Sequence, residues 1–209
     1  MTREAPAAAD EGALLRTHRS DIDRAEAAIH ELIDALGFDP DAAELAATPA
    51  RVARTLIQAT LGGYERDPQE ILSATFRGPY RDLVLVTDIF FVSMCPHHLL
   101  PFSGHAHLAY LPRDRVVGLG RVTDLVQAFA CRFQFQEKLT QELADAMMDH
   151  LQPFGAACRI EATHYCERVA HEERAPSLVI TEAVRGRFAD DPESGDRFRR
   201  ALADRRGRS

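Results

Sequence analysis

Thiol and imidazole side chains cluster at two places that lie far apart in the chain. They are Cys95-Pro96-His97-His98 and His164-Tyr165-Cys166. Thiolate and imidazole are the ligands that zinc prefers in proteins. Cys95 and His98 are three residues apart after a predicted strand, so a tight turn can direct both side chains to one point. His164 and Cys166 are two residues apart, and on a strand both lie on the same, apolar face. The sequence therefore predicts a metal centre built from the two segments.

The spacing does not select the ligands among these residues. Four donors would close the coordination shell, as in structural zinc sites, whereas three donors and an open position are typical of catalytic zinc. His97 is a further donor that cannot point in the same direction as His98 on an extended segment. Free histidines beside a three-ligand metal would combine a metal with a proton shuttle. The alternative is that these are ordinary core side chains, as we expect for Cys158.

A second candidate group is Gln136-Glu137, at the start of a predicted helix. A carboxylate at a helix N-terminus is favoured by the helix dipole, and this explanation needs no ligand. The functional alternative is an amide and a carboxylate that grip a flat heterocycle with adjacent N–H donors, such as the edge of guanine. The residues alone favour the first explanation.

Composition excludes several classes of function. The chain has 209 residues and a formal net charge of −7, which argues against a general binder of nucleic acid or of anionic membranes. No apolar run approaches the roughly 18–20 residues that a membrane span needs. The first residues lack the basic and apolar regions of a secretory signal, so we expect a cytoplasmic protein with reduced cysteines.

Hydrophobic periodicity predicts the elements that position these groups. Two helices come first, then two or three strands, two helices, and two further strands. Residues 155–169 alternate between apolar and polar over their whole length, which predicts one long strand. His105 and His107 are expected on the solvated face of another strand. Strands and helices that occur in runs predict an α+β protein with an antiparallel sheet.

Several longer motifs resemble the GTP cyclohydrolase I family, in order and at matching intervals. They are Ser93–Pro101 (SMCPHHLLP), Tyr110–Pro112, Val117–Leu119, Gln134–Thr140 (QFQEKLT) and Glu161–Cys166 (EATHYC), with Thr48–Arg51, Gly63-Tyr64 and Ile71–Phe76 in addition. The resemblance runs from about residue 20 to residue 203. The joint C-x-H-H, Q-x-Q-E and H-x-C set is highly specific.

The resemblance implies the tunnelling fold, which is a four-stranded antiparallel sheet with two helices on one face, behind an N-terminal helical hairpin. With it we expect a mobile arm at 1–19, the hairpin and a connector at 20–80, the catalytic domain at 81–190, and a C-terminal helix and basic tail at 191–209. Subunits of the family close into a barrel. The resemblance therefore implies a homo-oligomer, namely a decamer, with active sites between subunits.

The resemblance also implies a reaction and the roles of the site residues. The guanine imidazole ring of GTP opens at C8, formate leaves, and 7,8-dihydroneopterin triphosphate forms. Zinc is implied at Cys95, His98 and Cys166. His97 and His164 are implied as the proton-transfer pair. Gln136 and Glu137 are implied to hold the guanine edge, against the explanation that the residues alone favoured.

The phosphate-binding positions depart from the family pattern. Ala170-His171 replaces an Arg-Gly pair, Gly120-Arg121 replaces Ser-Lys, and Asp124 lies at a basic or neutral position. Pro96 replaces a glutamate, and Glu172-Glu173 adds negative charge. Positive charge remains at Arg51, Arg54 and Arg121.

This departure leaves three functions open. The first is hydrolysis of GTP itself. The second is the same chemistry on a less phosphorylated or modified guanine-type purine. The third is a non-catalytic, zinc-stabilised partner that binds a pterin or a purine.

Overall fold

A computed structural model describes residues 21–170 and 177–205. The chain divides into two compact units, Met1–Gln58 and Ala59–Ser209. The predicted arm at 1–19 lies outside the described residues, and the predicted domain boundaries stay predictions. In the described part of the chain, no helix is both long and apolar enough to cross a membrane.

The first unit contains the two helices of the predicted hairpin. Helix α1 spans Ile22–Ala35, and the Asp21 carboxylate caps it by accepting a hydrogen bond from Arg24 N at 3.0 Å. The chain leaves the helix at Gly37, whose φ of +87° favours glycine. Helix α2 spans Thr48–Arg54 and packs against α1.

Helices and strands make up most of the described chain after α2. Their bounds are a π-helix at Thr55–Thr60, a 3-10 helix at Gly62–Glu65, α3 at Pro68–Ile71, β1 at Thr75–Arg77, β2 at Val84–Met94, β3 at Pro101–Leu111, β4 at Arg115–Val117, α4 at Leu119–Ala130, α5 at Gln136–Ala146, a π-helix at Met147–Leu151, β5 at Gly155–His164, α6 at Tyr165–Ala170, β6 at Leu178–Gly186, α7 at Arg187–Asp190 and α8 at Pro192–Arg205.

The described residues form a four-stranded antiparallel sheet in the order β2-β3-β5-β6. Strands β1 and β4 pair in a separate two-stranded sheet. These findings confirm the predicted α+β fold class. The four strands lie side by side in the order in which they occur along the chain. Between β3 and β5 the chain also passes through β4, α4 and α5.

One face of the sheet carries the main core. The even-numbered side chains of β3 and β5 point to it and pack against α4 and α5; among them are Phe102, Ala106, Leu108, Cys158, Ile160 and Ala162. Each of these six is at most 1% exposed. The alternation predicted for β5 is therefore confirmed through His164. Burial raises the pKa of the Cys158 thiol, which keeps it neutral in the core.

The opposite face is covered at one end by the C-terminal residues. Ala109, Leu111 and Ala157 pack against Phe188 and Phe198 in a second apolar cluster. No such cover was predicted, because the sequence indicated only a C-terminal helix and basic tail here and gave no contact between them and the sheet.

The prediction that His107 is solvated is wrong, whereas His105 is exposed as expected. His107 is fully buried, and its Nδ1 accepts a hydrogen bond from Asp88 N at 3.1 Å. Asp88 lies in a bulge of β2 between Val86 and Ile89, with a φ of +60°. The bulge turns a backbone N–H toward the histidine, and periodicity alone cannot reveal such a contact.

Candidate functional site

The first metal-ligand candidates lie in a turn at the end of β2. Cys95 directly follows the strand and is 7% exposed. Two backbone hydrogen bonds close the turn, from Leu99 N to Cys95 O and from Cys95 N to Leu100 O, both at 3.0 Å. Leu99 adopts a φ of +53° within it. The turn returns His98 to Cys95, so that His98 Nδ1 lies 3.9 Å from Cys95 Sγ.

Cys166 reaches the same place from a helix and not from a strand. The prediction that His164 and Cys166 share a strand face is wrong, because β5 ends at His164 and α6 begins at Tyr165. The last pair between β3 and β5 is Phe102 with His164. The next residue of β3 is Pro101, which has no N–H for further pairing, so the chain leaves the sheet there.

The three donor atoms are close enough to bind one metal ion. One sulfur or nitrogen atom each from Cys95, His98 and Cys166 lies within 4.8 Å of the others. Tetrahedral zinc, with Zn–S of about 2.3 Å and Zn–N of about 2.0–2.1 Å, spaces such donors about 3.5–3.8 Å apart. The group therefore fits a zinc-sized ion after shifts of about 1 Å or less.

The electrostatics of the two thiols also suit a cation. Burial raises the pKa of Cys166, and the neighbouring Cys95 sulfur raises it further through charge repulsion and a hydrogen bond. Two thiolates side by side repel each other, and a divalent cation between them removes that repulsion. His98 is exposed, so one side of the group is accessible to solvent.

Both candidate proton-transfer histidines lie beside this group along the chain. His97 is exposed, and its ring centroid lies 5.0 Å from that of Phe135. His164 is half-buried, and its ring is parallel to that of Phe102 with centroids 4.6 Å apart. Burial lowers the pKa of His164, while the carboxylates of Glu137 and Glu167 oppose that shift.

Gln136 and Glu137 begin helix α5, as predicted, but their environments differ. Gln134 N donates to Met94 O at 3.0 Å, which ties the segment before α5 to the residue that precedes Cys95. Glu137 is exposed in the first turn of α5. Gln136 is 1% exposed, and its Oε1 accepts a hydrogen bond from His164 Nε2 at 2.9 Å.

The candidate phosphate-binding arginines are exposed. Arg121 on α4 forms an ion pair with Asp124, at 3.6 Å between Arg121 Nη1 and Asp124 Oδ2. Arg51 lies in the last turn of α2, in the first unit. The substituted positions His171, Glu172 and Glu173 lie outside the described residues.

An antiparallel α+β fold with a Cys/His/Cys group that could hold a metal ion, beside imidazole and carboxylate side chains, defines the class of this protein. The family model described as GTP cyclohydrolase I matches residues 25–203. The chain belongs to this family, which confirms the resemblance found in the sequence motifs.

Curated relatives agree with this assignment. "GTP cyclohydrolase 1" of Rhodopirellula baltica is 44% identical over 174 residues, which cover 83% of this chain and 76% of the relative. The protein of the same name from Carboxydothermus hydrogenoformans is 44% identical over 170 residues, covering 81% and 88%. That from Ralstonia nicotianae is 38% identical over 187 residues, covering 90% of each.

A solved structure overlaps in part. The apo crystal structure of the archaeosine synthase QueF-Like has a TM-score of 0.43 and 18% identity, covering 53% of this chain and 97% of its own. A similarity at this level bears on neither the fold nor the function of this chain.

The sequence motifs did not reveal the side chains that hold His164 in place. These are Phe102, which stacks on its ring, and Thr140 and Thr181, which contact Gln136. The alternation of β3 indicated that Phe102 is buried, but only the register between β3 and β5 places it opposite His164.

Proposed function

We propose that this protein carries out the GTP cyclohydrolase I reaction. Water opens the guanine imidazole ring at C8, C8 leaves as formate, and the remaining atoms close into 7,8-dihydroneopterin triphosphate. The observation that carries the proposal is the Cys95, His98 and Cys166 donor group in a member of this family. His164 directly precedes α6, which contains Cys166, and the charge of Glu137 raises the pKa of His164 against the effect of burial.

We propose zinc as the metal, held by Cys95, His98 and Cys166. Two sulfurs and one imidazole are a soft donor set, which suits zinc better than the oxygen-binding ions magnesium and calcium. When bound, zinc supplies Lewis acidity at the carbon that is to be hydrolysed.

The side chains of this chain then bind the base and move protons. Glu137 accepts hydrogen bonds from the N1–H and the 2-amino group of guanine, a charge-assisted pairing that an exposed carboxylate can make. One histidine of the pair His97 and His164 gives a proton to N7 as the ring opens, and the pair exchanges protons with the substrate in the later rearrangement. Gln136 is predicted to share the binding of guanine, although its hydrogen bonds to the sheet favour another role.

The test is a substrate panel with zinc-loaded protein. GTP, GDP, GMP and guanosine are each supplied, and formate and a fluorescent pterin are measured. Release of both from GTP supports the proposal. A zinc-loaded, folded sample that releases neither from any guanine compound refutes it and favours the non-catalytic alternative.

A second candidate function is the same reaction on a purine with fewer phosphates. The ion pair between Arg121 and Asp124 favours it, because a triphosphate must compete with the Asp124 carboxylate for this guanidinium. In the same panel, this candidate predicts a lower Michaelis constant for GMP or guanosine than for GTP. An ordinary Michaelis constant for GTP with inert GMP and guanosine rejects it.

We also propose that the chain forms a homo-oligomer, with about ten copies as the family resemblance implies. Strands β2 and β6 are the edges of the four-stranded sheet in the described residues. They expose Phe90 and Leu178, both 57% exposed, and Ile180, 45% exposed. Exposed apolar edges favour pairing between chains. Light scattering on the protein as it elutes from a size-exclusion column measures its molar mass. The mass of a monomer contradicts the proposal.

A further inference from the structure

The amide group of Gln136 is enclosed by acceptors on the sheet. Its Nε2 lies 3.0 Å from Val179 O, 3.2 Å from Thr181 Oγ1 and 3.4 Å from Ile160 O. Carbonyl oxygens only accept hydrogen bonds, so the amide nitrogen must face Val179 and Ile160. The reverse orientation would place Oε1 of Gln136 against two carbonyl oxygens. The hydrogen bonds therefore determine which end of the amide faces His164.

The neighbouring hydroxyl groups agree with this orientation. Thr140 Oγ1 donates its single hydrogen to Gln136 O at 2.7 Å. The contact of 2.6 Å between Thr140 Oγ1 and Thr181 Oγ1 then has Thr181 as its donor. Thr181 Oγ1 keeps its lone pairs for the Gln136 amide. The two amide hydrogens of Gln136 serve three acceptors, so one of them is shared, and both hydroxyl hydrogens have one acceptor each.

The orientation of Gln136 sets the tautomer of neutral His164. Oε1 accepts at 2.9 Å from His164 Nε2, so Nε2 carries a hydrogen. In a neutral imidazole the lone pair then lies on Nδ1. The Phe102 ring, parallel to the imidazole within 1°, fixes the plane of the ring. Phe102 and Gln136 together determine the ring plane and the tautomer.

We propose that Gln136 is a positioning residue for His164 and not a contact to the purine. It holds Nε2–H inside the protein and leaves Nδ1 as the ring nitrogen that is available to the reacting groups. Recognition of the guanine edge then belongs to Glu137. The catalytic consequence of this proposal rests on the proposed function, whereas the tautomer of His164 does not.

The kinetic test is Gln136→Met, which keeps the length of the side chain and removes both polar atoms. We expect kcat to fall by about 100-fold, as for loss of an oriented acid–base group, and KM to change by less than about threefold. Gln141→Met, at an exposed position of the same helix, is the matched control and keeps both constants. A KM raised tenfold or more with kcat retained overturns the proposal, as does an unchanged kcat.

A spectroscopic test needs neither substrate nor a folded Gln136 variant. Nitrogen-15 spectra of zinc-loaded protein labelled at histidine report which ring nitrogen bears hydrogen, and loss of signals in His164→Asn assigns them. We expect a protonated Nε2 and an unprotonated Nδ1 for neutral His164. The opposite tautomer in the unmodified protein refutes the proposal. Formate release from GTP tests the proposed function separately, so the two failures are distinguishable.

Discussion

Replacing Asp124 with asparagine tests whether this carboxylate limits the binding of phosphate. Arg121 and Asp124 lie three residues apart on α4, with side chains 50% and 49% exposed. A triphosphate that binds Arg121 must displace Asp124 or approach it. Asp124→Asn keeps the shape of the side chain, removes its charge and releases the guanidinium.

The distance between the two charges gives the expected magnitude. Unit charges 3.6 Å apart attract by about 1.2 kcal/mol in water. Because exposed pairs contribute only about 0–1 kcal/mol after solvent screening, we take about 1 kcal/mol, or about fivefold in affinity. Removing the repulsion between Asp124 and the phosphates contributes a similar factor. The KM for GTP is therefore expected to fall by about 5- to 25-fold.

The assay is steady-state formate release with GTP and with guanosine. Guanosine has no phosphate, so its KM is expected to stay within about twofold. Asp149→Asn removes the same charge at an exposed position of the π-helix Met147–Leu151 and is the control. An unchanged KM for GTP in Asp124→Asn refutes the reasoning, and so does an equal fall in KM for guanosine.

The site and the sheet support three further predictions. Cys166→Ser is expected to lose most bound zinc and activity, whereas Cys131→Ser, outside the donor group, keeps its zinc; elemental analysis distinguishes them. Glu137→Gln is expected to raise the KM for GTP by about 10- to 100-fold, through loss of a charge-assisted hydrogen bond, and an unchanged KM argues against contact with guanine. Gly104→Ala is expected to prevent folding, because its Cβ would collide with the backbone oxygen of Glu161 in β5. Gly120→Ala meets open space within α4 and is expected to stabilise the protein by up to about 1 kcal/mol. Denaturant unfolding measures both, and a stable Gly104→Ala contradicts the close strand packing.

Local sequence was sufficient for most elements of the fold. The apolar period of two in 155–164 and the helical period after Leu119 both reflect contacts that each element makes with one core. The C-terminal helix α8 could not be assigned to the sheet in this way. Its buried Phe198 and Leu202 stand in a strongly charged stretch, and their partners on β3 and β5 are distant in sequence.

The candidate site was likewise predictable from local sequence only in part. Cys95 and His98 lie in one turn, so their spacing alone predicts that they converge. The end of β5 depends on where its partner strand stops, so the helical setting of Cys166 required the register between strands. The orientation of the Gln136 amide depends on oxygen atoms of β5 and β6, which lie more than twenty residues away along the chain.

Residue chemistry by itself determined that the thiols and imidazoles of two distant segments suit a soft divalent metal, since these are the side chains that zinc prefers as ligands. Only the tertiary structure decided the orientation of the side chains around that group. A hydrogen-bonded amide takes its direction from whichever donors and acceptors the fold places against it. Those atoms belong to backbone segments whose arrangement no local pattern contains.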